Sequence, residues 1–370
     1  MIKVGIIGGG INSAVGNAHF SAIRLSNNYD IVATAFSRDK NINYETADKI
    51  GITQDKVYSQ YETMIDDNIG ILDAVIILTP TDQHMDQVIY ALKNNLNVIC
   101  EKALASSADQ IFLIQEALNN SKAKLFVIYN YLGYPMVKEL RSIIQNGKLG
   151  KIFSIQIEMP QEGFVKTTKG ELPMPQSWRL NDNKSVPTLS LDLGVHLHSL
   201  IKFITELKPL SVVALSKSRG CFSEIINEIN AIIECSEDVI CNMWYSKISL
   251  GHRNGMKIRI YGSLASVFWE QINPEIIIFN DITGNCLLLD RNSPNIEIAN
   301  SKYYNIFKGG HPAGFIEALT NYYNDIHEGL TKSSLGQSTK NVYGIEESNE
   351  GLKLFEAINK SSITKNWVEL

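Results

Sequence analysis

The first 130 residues repeat one pattern: a short continuous apolar run, a turn, then a stretch with helical periodicity. The runs are IKVGII, YDIVATAF, LDAVIIL, LNVIC and, at 124–129, KLFVIY. Runs without polar alternation suit strands buried on both faces, as in a parallel sheet covered by helices. The stretches between them supply those helices; in 84–95, Met85, Val88, Ile89 and Leu92 mark one face. Right-handed crossovers then make a doubly wound sheet, whose ligands lie beyond the carboxyl ends of its strands. The loops after the strands are where chemistry is expected.

The loop after the first run is GGGINSAVG, from Gly8 to Gly16. A dinucleotide site needs glycine here, because the backbone must turn tightly and approach a pyrophosphate at a helix N-terminus. Gly8 and Gly10 fill the first two positions, with Ile11 and Asn12 beside them; Ser13 stands at the third, and the next glycine is Gly16. An ordinary strand-to-helix turn is the alternative. After the second run an acid suits NAD and a base suits the 2′-phosphate of NADP. Ser37 and Arg38 lean towards NADP, while Asp39 comes one or two positions late for a ribose acid unless the loop brings it in. The expected cofactor is therefore NAD or NADP. Thr79, Pro80 and His84 follow the third run, and Glu101 and Lys102 the fourth. The last two could be a solvated ion pair, but they sit on the side where a nicotinamide would rest.

Beyond residue 150 the character changes. Strand-like segments IFSIQIEM, SVVALS, NAIIECS, VICNMWYS, MKIRIYG and EIIIF lie close in sequence without long helices between them, which argues an antiparallel sheet. A polar loop spans about 161–187, and helical patterns return after Pro312. A chain of 370 residues, 44% hydrophobic, suits two domains, expected as 1–130 and 131–370. The charge of −5 comes from 34 basic and 39 acidic residues that are interspersed, so a nucleic-acid partner is not expected. No apolar run nears the roughly 20 residues of a membrane span, and the N-terminus lacks a secretory signal pattern; no membrane association and a cytoplasmic location are expected. Five scattered cysteines read as reduced thiols.

Residues 191–200, LDLGVHLHSL, hold Asp192, His196 and His198. Leu193, Leu197, Leu200, Ile201 and Ile204 recur at helical spacing, which sets 192 and 196 about 40° apart and 196 and 198 about 200° apart. As a strand the two histidines would share a face, but no third ligand cluster accompanies them, and no metal is expected. A capping aspartate over a core histidine is the structural alternative. Alcohol oxidation needs a base for the hydroxyl proton, for which imidazole is suited; His196 is the candidate, with Asp192 orienting it and the Lys102 ammonium stabilising negative charge on oxygen.

The combination of VGIIGGG, TPTDQH, CEKALA and LDLGVH resembles the Gfo/Idh/MocA oxidoreductase family. Glu101-Lys102-Ala103 matches its E-K-P, and Asp192, Gly194 and His196 its D-x-G-x-H. YNYLGYPMVKELRSIIQNGKLGKI, Trp178-Arg179, YGSLAS and GGHPAGFIEALTNYY also match. The resemblance implies an α/β fold: an N-terminal Rossmann domain, then an α/β domain on a large, open, mostly antiparallel sheet that often joins copies into a homo-dimer or homo-tetramer. It implies hydride transfer at a hydroxyl of a sugar, cyclitol or sugar derivative, with Lys102, Asp192 and His196 at the catalytic positions. His311 is implied as a substrate contact, and Tyr131, Trp178 and Arg179 are candidates to line the sugar pocket. Ala103 for proline, Leu132 for a frequent arginine and Ser190-Leu191 before the aspartate depart from the pattern. Two other functions stay open: a dinucleotide-binding regulator, against which retention of all three reacting groups argues, and an NAD-dependent redox glycosidase.

Overall fold

The structure, a computed structural model, describes residues 1–13, 15–172, 174–180, 185–331 and 340–370. Strands β1 (Ile2–Gly8), β2 (Tyr29–Ala35), β3 (Ala74–Leu78), β4 (Asn97–Glu101) and β5 (Leu125–Ile128) pair in parallel, in the order β2-β1-β3-β4-β5. Helices α1 (Gly16–Ser26), α2 (Lys40–Ile50), α3 (Tyr61–Asp67), α4 (His84–Lys93) and α5 (Ala108–Asn119) lie between the strands. Every residue of β3 and β5 is buried, the environment that their uninterrupted apolar composition requires.

After α6 (Pro135–Gln145), β6 (Ile152–Pro160) and α7 (Val195–Thr205) come β7 (Pro209–Lys217), β8 (Glu228–Cys235), β9 (Val239–Ser246), β10 (Lys257–Gly262), β11 (Ala265–Glu270), β12 (Ile277–Asp281) and β13 (Cys286–Leu289). With α8 (Phe315–Thr331) and α9 (Ile345–Thr364) behind it in sequence, β14 (Val368–Glu369) completes a second sheet in the order β13-β12-β11-β10-β6-β9-β8-β7-β14. Its pairs are antiparallel apart from β6 with β9. In β8, Ile229, Ala231, Ile233 and Cys235 are buried while Asn230, Ile232 and Glu234 are exposed; this period of two is that of a sheet covered on one face. Strands β11 and β13 escape the sequence reading, the first behind the turn-like Gly262-Ser263, the second because its CLLL is mostly exposed and carries no alternation.

The chain forms two compact units, Met1–Gly133 with Phe315–Asn349, and Tyr134–Gly314 with Glu350–Leu370. Phe315–Asn349 thus groups with the first unit, whereas the sequence reading set 1–130 beside 131–370. Phe315–Asn349 returns to the first unit because buried α8 tyrosines find their partners there: the Tyr322 hydroxyl donates to the Val127 carbonyl at 2.8 Å, and the Tyr29 hydroxyl donates to the Tyr323 carbonyl at 2.7 Å. Among the described residues no helix is long and apolar enough to cross a membrane.

Candidate active site

In the first unit the loop from β1 to α1 is shaped by glycine. Gly8 and Gly9 adopt φ of +80° and +75°, open to glycine at little cost. A Cβ on Gly8 would lie 2.8 Å from the Thr79 amide nitrogen, and one on Gly16 would lie 2.1 Å from the Gly9 carbonyl oxygen. Gly16 thus does the close-packing work of the third motif glycine. Ser13, at the formal third position, instead accepts a hydrogen bond from the Gly16 amide at 3.2 Å. The Ile11 amide donates to Thr46 Oγ1 at 2.9 Å, and Asn12 is exposed. The loop opens onto the α1 N-terminus, whose partial positive charge favours an anion. A tight backbone cradle at this edge fits a dinucleotide pyrophosphate.

Asp39 has a local structural role. It is the N-cap of α2, accepting from the amides of Asn41 at 2.8 Å and Ile42 at 3.4 Å. The preceding turn is fixed by Asn43, whose amide group donates to the Ser37 carbonyl and accepts from the Ser37 amide, leaving Arg38 exposed. Asp39→Ala is expected to cost about 1 kcal/mol of stability through the lost cap, measured by urea denaturation, without altering the ratio of NADH to NADPH affinity.

The loops after β3 and β4 are joined by His84. Its Nδ1 lies 2.8 Å from the Ala103 carbonyl and its Nε2 2.7 Å from that of Thr79. Burial pushes this imidazole below its ordinary value, against both carbonyls and Glu101. His84 is therefore a buried tie between the two loops that carry the other expected cofactor contacts. Thr79 Oγ1 donates to Gln87 at 2.6 Å, and Pro80 precedes a short 3-10 turn. The Lys102–Ala103 peptide is cis. Glu101 is not a solvated partner for Lys102: its Oε1 meets His19 Nε2 at 3.0 Å, its Oε2 accepts from the Lys102 amide at 3.1 Å, and His19 Nδ1 meets the Tyr323 hydroxyl at 2.8 Å. His19, fully buried on α1, links the glycine-loop helix to the strand end that carries Lys102. Its only sequence signal was a histidine on an apolar helix face.

In the second unit Ser190–Gly194 forms a π turn ahead of α7, closed by the Val195 amide on the Ser190 carbonyl. A plain α-helix was expected here. The wider turn holds more than four residues, so Asp192 and His196 still fall close beneath one another. Both are about 7% exposed. The N-cap of α7 is Gly194, and Asp192 has charged partners instead: its Oδ2 accepts from Arg179 Nε at 3.0 Å and from Lys247 Nζ at 2.6 Å, and Oδ1 receives Arg179 Nη2 at 3.5 Å. The Arg179 guanidinium stacks 4.4 Å from the Trp178 ring centre. Phe164, Thr188, Leu189 and Ile226 complete a pocket around the carboxylate. Lys247 had no signal in sequence, since a lysine after a strand usually faces solvent.

His198 lies on the other side of α7. Its Nε2 is 3.1 Å from Glu350, which Lys202 also holds at 2.9 Å, and its ring is edge-on to Phe355. Tyr131 is buried in the Asn130–Gly133 turn of the first unit, whereas Tyr134 belongs to the second and accepts from Gln271 at 3.1 Å. The His311 side chain is exposed and packs edge-on to Phe307; its carbonyl is held by Arg291, which is buried and paired with Glu275 at 2.7 Å. Among the described residues no group of three or more His, Cys, Asp or Glu is arranged to hold a metal ion.

Comparison with known proteins agrees with this architecture. The sequence model described as Oxidoreductase family, NAD-binding Rossmann fold (GFO_IDH_MocA) matches residues 2–129, and that of the GFO/IDH/MocA C-terminal domain matches residues 137–268. The uncharacterized oxidoreductase YfiI of Bacillus subtilis (strain 168) is 28% identical over 287 residues, 75% of this chain and 72% of the relative. The glucose-6-phosphate 3-dehydrogenase of that strain is 25% identical over 285 residues, 75% and 76% of the two chains. An inositol dehydrogenase homolog from Azotobacter vinelandii, solved with NADH and myo-inositol, has the same fold with a TM-score of 0.88 at 23% identity, over 100% of this chain and 97% of that one. With its Rossmann sheet, its second, mostly antiparallel sheet and both family domains matched, the chain belongs to the Gfo/Idh/MocA oxidoreductase family.

Proposed function

We propose that the protein is an NAD(P)-dependent dehydrogenase or reductase that moves hydride between nicotinamide and a CH–OH carbon of a sugar, cyclitol or sugar derivative. The observation that carries this is that Asp192 and His196, one turn apart in sequence, are both buried, on a chain whose glycine cradle fits a dinucleotide. Bound at Gly8–Gly16, the dinucleotide supplies the hydride acceptor or donor. His196 takes the hydroxyl proton during oxidation and returns it during reduction. Asp192 orients the ring or the substrate hydroxyl and stabilises the imidazolium, and Arg179 and Lys247 balance its charge. Lys102, assigned through the E-K-A match, stabilises negative charge on the reacting oxygen. The named relatives, a glucose-6-phosphate 3-dehydrogenase and an inositol dehydrogenase homolog, support the substrate class. We also propose that the protein works in the cytoplasm as a homo-dimer or homo-tetramer through the second sheet, on whose outer face Ile232 and Ile240 are exposed.

Arg38, exposed after β2, is the group proposed to favour NADP. Arg38→Ala is expected to weaken NADPH binding roughly tenfold by removing a charged hydrogen bond to the 2′-phosphate, and to leave NADH binding within about twofold. Equal loss for both cofactors would remove the NADP preference.

The function is tested by calorimetric titration of cofactor-stripped protein with NADH and NADPH, then by a turnover screen over free sugars, sugar phosphates and cyclitols, glucose 6-phosphate and myo-inositol among them. Binding with turnover supports the dehydrogenase. Binding without turnover anywhere on the panel favours a dinucleotide-binding regulator, and absence of binding overturns the assignment of the glycine loop.

A further inference from the structure

We propose that Lys247 is a positioning residue for the reaction, fixing the rotation and charge of the Asp192 carboxylate beside His196, an inference that stands on the dehydrogenase function proposed above. The ammonium is 2.6 Å from Asp192 Oδ2, and the two side chains are only 11% and 9% exposed. At that separation and burial the pair is little screened by solvent or salt.

The lysine is anchored from its own backbone outward. It directly follows β9, its amide donates to the Asn227 carbonyl at 2.9 Å, and its carbonyl accepts from the Phe164 amide at 2.9 Å. Asn227 is itself fully buried, bonded to the Arg219 and Phe222 carbonyls. The Lys247 ammonium also lies 5.6 Å from the Phe164 ring centre, where the ring face favours a cation. Arg179, the other cation on Asp192, comes from the short 3-10 turn Ser177–Leu180 instead of a sheet. Lys247 is thus the sheet-borne partner of the carboxylate.

The two shorter contacts both fall on Oδ2, so they define how the carboxylate is turned about its Cβ–Cγ bond. Methionine at 247 keeps the length and apolar stem of the side chain but not the ammonium. The carboxylate would then lose its 2.6 Å contact while keeping those to Arg179, and the geometry presented to His196 or to a hydroxyl would loosen. A misplacement of this kind lowers the chemical step more than it lowers binding.

The experiment compares wild type, Lys247→Met, Lys247→Arg, Asp192→Asn and the Lys247→Met/Asp192→Asn double variant. The substrate is the panel compound that wild type turns over fastest at saturating cofactor, with rates expressed per folded molecule from thermal melts. Lys247→Met is expected to lower kcat roughly 30-fold, and Lys247→Arg, which keeps the charge, to recover to within roughly fivefold of wild type. The KM for the dinucleotide should stay within about twofold in both. In the Asp192→Asn background Lys247→Met should cost little more, because the two act as a unit. Unchanged kcat per folded molecule in Lys247→Met, or full additivity with Asp192→Asn, overturns the positioning role while leaving the dehydrogenase intact. A wild type that turns over nothing on the panel overturns the dehydrogenase and this inference with it.

Discussion

His196→Ala is expected to lower turnover by roughly 100-fold or more while dinucleotide affinity stays within about threefold. The proton acceptor is lost, but the Gly8–Gly16 cradle belongs to the other unit. His198→Ala, two residues along the same helix, should behave in the opposite way. Its partners are Glu350 and Phe355, and a Cβ on Gly351 would lie 2.9 Å from its ring, so its removal leaves a gap and one lost hydrogen bond. The expected cost is about 1–3 kcal/mol of stability with most activity kept. Stopped-flow turnover, calorimetry and urea denaturation on the two variants separate these outcomes. Equal loss of activity in both, tracking lost stability, would make the pair structural and remove His196 from the chemistry.

The same variant has a pH signature. Burial alone would raise the Glu350 carboxyl, but hydrogen bonds and charge from His198 and Lys202 outweigh it and hold the group below its ordinary value. A carboxyl depressed in the folded state stabilises the fold above its unfolded value of about 4.3 and loses that contribution as pH falls through the folded value. His198→Ala removes one of the depressing partners. On acid titration its stability should therefore fall by less than that of wild type between the unfolded value and the folded one, and the fall should be complete at a higher pH.

What was legible in sequence was whatever is encoded by neighbours along the chain. Uninterrupted apolar runs announced β1 to β5, because burial on both faces leaves no polar alternation, and strand-like segments too close together for helical crossovers announced the antiparallel sheet. Asp192 and His196 could be paired because four residues is close to one turn, whether the turn is α or π. His19 with Glu101 and Lys247 with Asp192 were not legible: each pair joins residues more than fifty positions apart, and a lone histidine or lysine carries no local mark of its partner. The return of Phe315–Asn349 to the first unit was hidden for the same reason, since helical periodicity in α8 says that it buries a face but not against which sheet. Asp39 shows the converse. Spacing set it one or two positions late for a ribose acid, and it caps α2, a local demand that an aspartate directly before a helix meets.

The glycine loop allows motif and geometry to be set against each other. Gly16→Ala is expected to weaken NADH and NADPH binding by roughly 100-fold or more, because the new Cβ would lie 2.1 Å from the Gly9 oxygen and 2.8 Å from its carbonyl carbon. Both are backbone atoms, so the loop itself must move. Gly9 has little room to yield: it sits at φ +75°, and a Cβ there would already be 2.8 Å from Leu78. Moving this turn displaces the amides at the start of α1 on which a pyrophosphate would rest. Ser13→Gly, which restores the third glycine of the formal motif, should change affinity by no more than about threefold, since it removes two long bonds, from the Val15 amide at 3.4 Å and the Gly16 amide at 3.2 Å, and relieves no clash. Calorimetric titration of both variants decides the matter. Strong loss in Gly16→Ala with near-neutral Ser13→Gly makes Gly16 the working third glycine, whereas a large gain from Ser13→Gly or full tolerance of alanine at 16 would mean that the loop binds its ligand in another conformation.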